Sequence, residues 1–185
     1  MKVAEGQIGR VFIMRLDDGD LVPNTIEEFA AENNIKVAFV SLTGGVGRGE
    51  VIVGPHDSDT RPIEAMHLPV EGAHEICALG VLAPDPIGRP VLHIHGAMGR
   101  NGVTLTGCLR LGVETWLVGE AIIYEILGSN TKRVVDQENG FLMLDPDSGA
   151  APAQPEVVVA APEKTSGTKI IKSSKILHIF NAEVN

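Results

Sequence analysis

The sequence predicts an α+β domain made mostly of antiparallel β-sheet with few flanking helices. Three observations carry this expectation. Short runs rich in Val, Ile and Leu recur along the chain, turn-forming residues including 21 glycines separate them, and only one segment keeps a sustained helical period. Aromatic residues make up only 4% of the chain, so the core must be assembled from aliphatic side chains.

The first predicted strand is GRVFIMRL, residues 9 to 16, followed by a turn at Asp17, Asp18 and Gly19. Asp20 then reads as the N-cap of a helix reaching to about Asn34, with Pro23 tolerated in its first turn. Val22, Ile26, Phe29 and Ala30 supply its apolar face, and Glu27, Glu28 and Glu32 its solvated one. A strand at residues 36 to 45 ends in the cluster TGGVGRG. That cluster lacks the Gly-Lys-Ser/Thr ending of a phosphate loop and precedes another strand-like run, EVIVG, so a tight β-turn is expected there. Further strands are predicted at 63–68, 74–83, 90–98, 103–111 and 116–127. Residues 1–145 form the predicted domain. Residues 146–185 read as a linker rich in Pro and Ala and a C-terminal extension, with a short strand at Val157–Val159 and a lysine cluster at Lys169, Lys172 and Lys175.

Composition narrows the classes of function. Hydrophobic residues at 44% and charged ones at 21% are ordinary for a folded domain. With 15 basic against 24 acidic residues the net charge is −9, which repels nucleic acid globally and disfavours DNA as a partner. Cys77 and Cys108 are too few for a disulfide scaffold. The N-terminal apolar residues are broken by Glu5, Gly6, Gln7 and Arg10, unlike a signal peptide, and no apolar run approaches the ~20 residues of a membrane helix. A soluble cytoplasmic protein is expected.

The stretch PVLHIHGAMGRNGVTLTGC, residues 90 to 108, concentrates metal-ligand types. Residues two apart on a strand share a face, so His93 and His95 point the same way. Asn101-Gly102 is a strong two-residue hairpin signal. If these two residues are the whole loop, His95 opposes Cys108; if the loop is Gly99–Gly102, Cys108 faces His93. Both registers bring the thiol to the histidine face, with opposed Cβ atoms ~4.5–5.5 Å apart. Two imidazoles and a thiolate suit zinc or a similar divalent transition metal, and a fourth position would remain for water, substrate or another chain. The same pattern also fits a packed strand face in which Cys108 is a small apolar residue.

Several stretches together resemble the plants-and-prokaryotes-conserved (PPC or PCC) domain family: RLDDGDLVPNTIEEFAAENNIKVAFVSLTGGVGRGEV, HEICALGVLA, and RPVLHIHGAMGRNGVTLTGCLRLG followed by Glu120. The similarity runs over roughly residues 9 to 145. It implies an antiparallel sheet flanked by helices and assembled as a homotrimer of the stand-alone prokaryotic type. It also implies a link to DNA, since plant relatives join the domain to AT-hook segments and prokaryotic ones are commonly described as DNA-binding. Here Gly88-Arg89-Pro90 has the hook's central triplet, but Ile87 precedes it and the basic flanks are missing. Where the family reads Gly-Gly-His-Leu, this chain reads Thr106-Gly107-Cys108-Leu109, which exchanges one ligand type for another and favours His93, His95 and Cys108 as metal ligands. Glu120 matches a family glutamate; an acid/base role near the site and a structural role both fit it. Arg15 matches a family arginine and is expected in a salt bridge or subunit contact.

Of the remaining residues, Arg110 lies two beyond Cys108 and is a candidate for binding an anionic ligand or pairing with a carboxylate. Cys77 is expected to be a buried small hydrophobe. His56, His67, His74 and His178 read as surface, packed or edge histidines. The function expected is a metal-binding homotrimer, with zinc the metal favoured by donor type, that holds a small ligand or partner at an open metal site. The alternatives are a DNA-associated regulator and a metal-dependent enzyme acting on a small molecule, with Glu120 the candidate catalytic group.

Overall fold

A computed structural model of the protein describes residues 1–146. The strands are β1 (Gln7–Asp17), β2 (Leu21–Val22), β3 (Ala38–Pro55), β4 (Ala65–Pro84), β5 (Pro90–Arg100), β6 (Val103–Cys108), β7 (Val113–Leu127), β8 (Lys132–Val135) and β9 (Leu142–Asp145), and the helix is α1 (Asn24–Glu32). The main sheet runs β1-β7-β3-β4-β5-β6, with β2 also on β7, while β8 and β9 form a separate two-stranded sheet. All the pairings are antiparallel. The expected mostly antiparallel α+β architecture is therefore present. The expected extension lies outside the described residues apart from position 146.

The helix starts later than the sequence implies. Leu21 and Val22 pair with Glu114 and Val113 of β7, and Asp20 accepts the Asp17 N–H at 2.8 Å instead of capping α1. The helix then buries Ile26 and Ala30 completely. Glu27, expected on a solvated face, is half-buried and accepts the Leu92 N–H at 2.7 Å. It thereby satisfies a donor on the edge of β5 that β6 is too short to reach.

The glycine cluster does not turn. The two predicted strands on either side of TGGVGRG are one continuous strand, β3, and those at 63–68 and 74–83 are likewise one, β4. Gly44 and Gly49 have φ of +132° and +144°, and a Cβ at either would collide with backbone of β7 or the residue just before it, at the Val118 and Gly112 carbonyl oxygens respectively. Glycine is thus required by the close approach of β7 rather than by chain reversal. From the Gly44–Gly119 pair to the Val46–Thr115 pair, β7 carries extra residues that bulge outward, including Trp116 and Leu117. Asp18 holds this bulge by accepting the Leu117 N–H at 2.7 Å.

The far halves of β3 and β4 position the metal-ligand stretch. Ile52 of β3 bridges to Cys108 of β6, so β3, β4, β5 and β6 close on one another at this end. On β5, Leu92, Ile94 and Met98 are buried, each side chain stabilising the fold by ~1.5–3 kcal/mol through removal from water. Their alternation turns His93 and His95 to the opposite face.

Candidate metal centre

The hairpin adopts the shorter of the two possible registers. Asn101 and Gly102 form the loop, both with positive φ, and His95 pairs with Cys108. Gly107 has a further role, because a Cβ there would lie 2.7 Å from the Ile52 carbonyl oxygen. Its missing side chain lets β3 close over β6 and fixes Cys108 between two neighbours.

The result is a convergent donor set. The Nε2 atoms of His93 and His95 are 3.1 Å apart, with the rings at 80° to one another. The donor atoms of His93, His95 and Cys108 all lie within 4.8 Å of one another. In a tetrahedral zinc site with Zn–N of 2.0–2.1 Å, two nitrogens would be about 3.3–3.4 Å apart, close to the observed spacing. The donors therefore fit a zinc-like ion after the thiol draws in by no more than about 1.3 Å. Borderline nitrogen and soft sulfur donors, with no carboxylate in the group, fit zinc better than magnesium or calcium.

The surroundings bias these groups electrostatically. Burial pushes the His93 imidazolium below its usual range, and the charges of Arg133 and Arg110 push it further. That favours the neutral imidazole, the form that binds metal. Cys108 is only 4% exposed, and the Arg110 Nε donates to its Sγ at 3.4 Å. Arg110 in turn lies over the Phe141 ring, 5.8 Å from its centroid.

Two cavities meet at this cluster. One of about 320 Å³ is lined by Ile52, Pro55, Cys108 and Arg110 among others. The second, about 550 Å³, includes Leu79, Arg110, Arg133 and Phe141 in its walls. His93 and His95 line both.

Arg110, although just past the end of β6, thus lies at the cluster, where it bonds Cys108 rather than a carboxylate. Glu120 is not brought there within one chain. It is exposed on β7, paired with Arg15 and Thr43, and three strands from β5, or about 14 Å at the usual strand spacing. Arg15 bonds Asp17 at 2.9 Å. Cys77 is exposed, not buried, because Ile76 and Ala78 take the inward positions of β4. His67 meets Glu50 at 3.0 Å, His74 bonds the Gly72 carbonyl, and His56 lies in a polar turn, all apart from the cluster. His178 lies outside the described residues.

Sequence reasoning missed Arg133 and Phe141, both supplied by the region of β8 and β9. A weaker signal was present: the six-residue connection DQENGF between KRVV and LMLD contains the turn-forming pair Asn139-Gly140, although that pair is not the whole loop as it is at Asn101-Gly102.

The model of the Plants and Prokaryotes Conserved (PCC) domain matches residues 3–127. The chain belongs to the PCC family. Solved structures with the same fold include a metal-containing protein from Archaeoglobus fulgidus, 27% identical, with a TM-score of 0.68 over 77% of this chain and 98% of that one. A plant- and prokaryote-conserved protein from Pyrococcus horikoshii is 20% identical, with a TM-score of 0.67 over 77% of this chain and 96% of its own. A candidate DNA-binding protein from Ralstonia eutropha JMP134 is also 20% identical, with a TM-score of 0.60 over 73% and 90%. No curated protein matches the chain. In this PCC domain the β8–β9 hairpin lies beyond the matched segment, so part of the larger cavity's wall is built from residues that the family pattern does not include.

Proposed function

We propose that this PCC protein is a homotrimer in which His93, His95 and Cys108 of each chain hold zinc or a similar divalent ion, with a fourth position open to a small ligand or partner. The observation that carries this reading is the convergence of three metal-type donors from two adjacent strands at a cavity junction. The metal-containing A. fulgidus relative supports it. A bound ion would supply Lewis acidity at the open position. The chain's own residues do the rest: β5 orients both imidazoles, the seam with β3 fixes the thiol, and Arg110 donates a hydrogen bond to its sulfur. Two unpaired cysteines suit a reducing, cytoplasmic setting, and among the described residues no helix is long and apolar enough to cross a membrane.

Elemental analysis tests the centre. About one ion per chain is expected, together with its loss from a still-folded variant carrying His93→Ala, His95→Ala and Cys108→Ala. Cobalt-loaded protein should show sulfur-to-metal charge-transfer absorption that Cys108→Ser abolishes. A metal-free protein after reconstitution would refute the centre.

The homotrimer reading is supported by family resemblance and by apolar residues left exposed on β1, where Ile8 and Ile13 are 72% and 86% accessible. A monomeric mass in sedimentation equilibrium would reject it. A metal-dependent enzyme on a small molecule would use the same open position, and Glu120 could serve it only from another chain. Loss of turnover on chelation and in Glu120→Gln is its test. DNA association is favoured by the R. eutropha relative and opposed by the charge of −9. Absence of duplex binding at about 50 mM salt would dispose of it, since electrostatic affinity is strongest at low salt.

A further inference from the structure

We propose that the larger cavity beside the His/Cys cluster is a carboxylate-binding site, in which Arg110 and Arg133 hold the acid group of a small molecule and Leu79, Phe141 and Leu142 cover its apolar body. This deepens the open-site reading above by naming the ligand class, and it is tested so that the two stand or fall separately.

Arg133 carries the argument. It is 2% exposed, an uncommon position for an arginine, yet it lines the cavity. Its Nε donates to the Val91 carbonyl at 3.2 Å and its Nη2 to the Val81 carbonyl at 2.7 Å. Those bonds lock the guanidinium plane against the ends of β4 and β5. Its Nη1 has no hydrogen-bond partner among the described residues, and no side-chain nitrogen or oxygen there is both sealed from solvent and unsatisfied. The free donor is therefore not sealed from solvent, on a residue that lines this cavity. Neither Arg110 nor Arg133 forms an ion pair among the described residues.

Two guanidinium groups, Arg133 buried and Arg110 exposed, are thus gathered in the wall of one cavity. Burial first, and then the Arg110 charge, lower the Arg133 pKa from its ordinary value, and Glu27 and Cys108 offset this only in part. Glu27 is itself engaged with the Leu92 N–H. In a protein whose net charge is −9, such a positive island is the kind of local field that draws in and holds an anion. Guanidinium donors fixed in a plane match the two oxygens of a carboxylate.

The apolar walls exclude a small inorganic anion as the best fit. Leu79 is 57% exposed on the outer face of β4, and Leu142 39% on β9, both against this cavity. At about 550 Å³ the space is of the size that ordinarily takes a small organic ligand. An alkyl or aryl monocarboxylate satisfies both the charges and the walls.

The test is calorimetric titration of the full chain, zinc-loaded and chelator-treated, with octanoate, 3-phenylpropionate and 3-indolepropionate. Their neutral amides and inorganic phosphate serve as controls. At least one acid should bind, at least about tenfold more tightly than its amide, because hydrogen bonds to an ionised group are lost with the charge. Arg110→Met should weaken the acid by a similar factor and leave the amide unchanged, and Arg110→Lys should restore only part of the loss. Arg133→Met removes two bonds to β4 and β5 and can unfold the protein, so Arg110 carries the primary test. Acid binding to chelated protein, sensitive to Arg110, supports the site even if the metal reading fails. Binding confined to zinc-loaded protein supports it when Arg110→Met abolishes it, and overturns it when that variant binds as well as wild type. Failure of all the acids at millimolar concentration in both forms, equal binding of acid and amide, or phosphate binding more tightly than every acid, overturns it.

Discussion

Gly80 faces the core of β4 directly opposite Ile94, between the two candidate metal ligands on β5. A Cβ at Gly80 would stand 2.7 Å from the Ile94 Cβ, 2.8 Å from the His93 carbonyl oxygen and 2.9 Å from the Ile94 Cα. Two of these are backbone atoms, so Gly80→Ala can be accommodated only if β4 and β5 move apart. Overpacking of this kind costs ~1–3 kcal/mol, while replacing glycine restricts the unfolded chain and returns ~0.4–1 kcal/mol. Taken at the middle of both ranges, the net expectation is a loss of about 1.3 kcal/mol, or roughly 0.65 M in urea midpoint for an m-value near 2 kcal/mol/M. Displacing the His93 backbone should also weaken metal affinity, read by competition with a chromophoric chelator. Gly96→Ala is the control. It too faces the core, but its Cβ would meet chiefly the terminal methyl of Ile76, at 2.9 Å, which can rotate away. Gly96→Ala should therefore be less destabilising and leave metal affinity near wild type. The reasoning is wrong if Gly80→Ala unfolds at the wild-type midpoint and binds metal as well as wild type, or if Gly96→Ala is the more damaging of the two.

Zinc at a hundredfold excess over its dissociation constant should stabilise the fold by about 2.7 kcal/mol, raising Tm by roughly 5–11 °C, and the rise should vanish in His93→Ala. The Glu125 carboxyl is held below its usual range chiefly by its hydrogen bonds with Arg10, at 2.7 and 2.6 Å. A depressed carboxylate contributes stability that is complete above the unfolded value of about 4.3 and is lost as pH falls through the folded value. Glu125→Gln should thus be less stable than wild type at pH 7, with the difference closing below about pH 4 in denaturant titrations. Cys108→His, which restores the family's usual ligand type, should keep metal in elemental analysis, whereas Cys108→Ala should lose most of it.

The His/Cys cluster was legible because a short-range rule fixed it. Asn101-Gly102 sets the hairpin, the hairpin sets the register, and the period of two then places His95 and Cys108 on one face. The face taken by Cys77 was not legible for the converse reason. HEICALGVLA is apolar on both sides, so alternation alone cannot choose between Ile76-Ala78 and Cys77-Leu79 for the core. The glycine cluster misled because glycine answers two different needs, chain reversal and close backbone approach, and only the position of β7 distinguishes them. Likewise Asp20 has the chemistry of an N-cap, but pairing of Leu21 and Val22 with β7 overrides that local preference. Glu27 shows the limit of helical patterning: it falls on the predicted outer face and is claimed by the unpaired edge of β5.

The bridge between Ile52 and Cys108 has a kinetic consequence. Both imidazoles ride on β5, which β4 secures along its length, whereas the thiol sits at the last residue of the short β6, where the sheet closes. Local opening of that seam would carry the sulfur away from the nitrogens without unfolding the rest of the sheet. Amide exchange at Leu109, whose N–H is held by the Ile94 carbonyl at 3.0 Å, would then report how often the donor set comes apart. If the ion escapes through this opening, its residence time is governed by β-sheet breathing rather than by ligand chemistry alone, and substitutions at Gly107 would change how fast metal is exchanged.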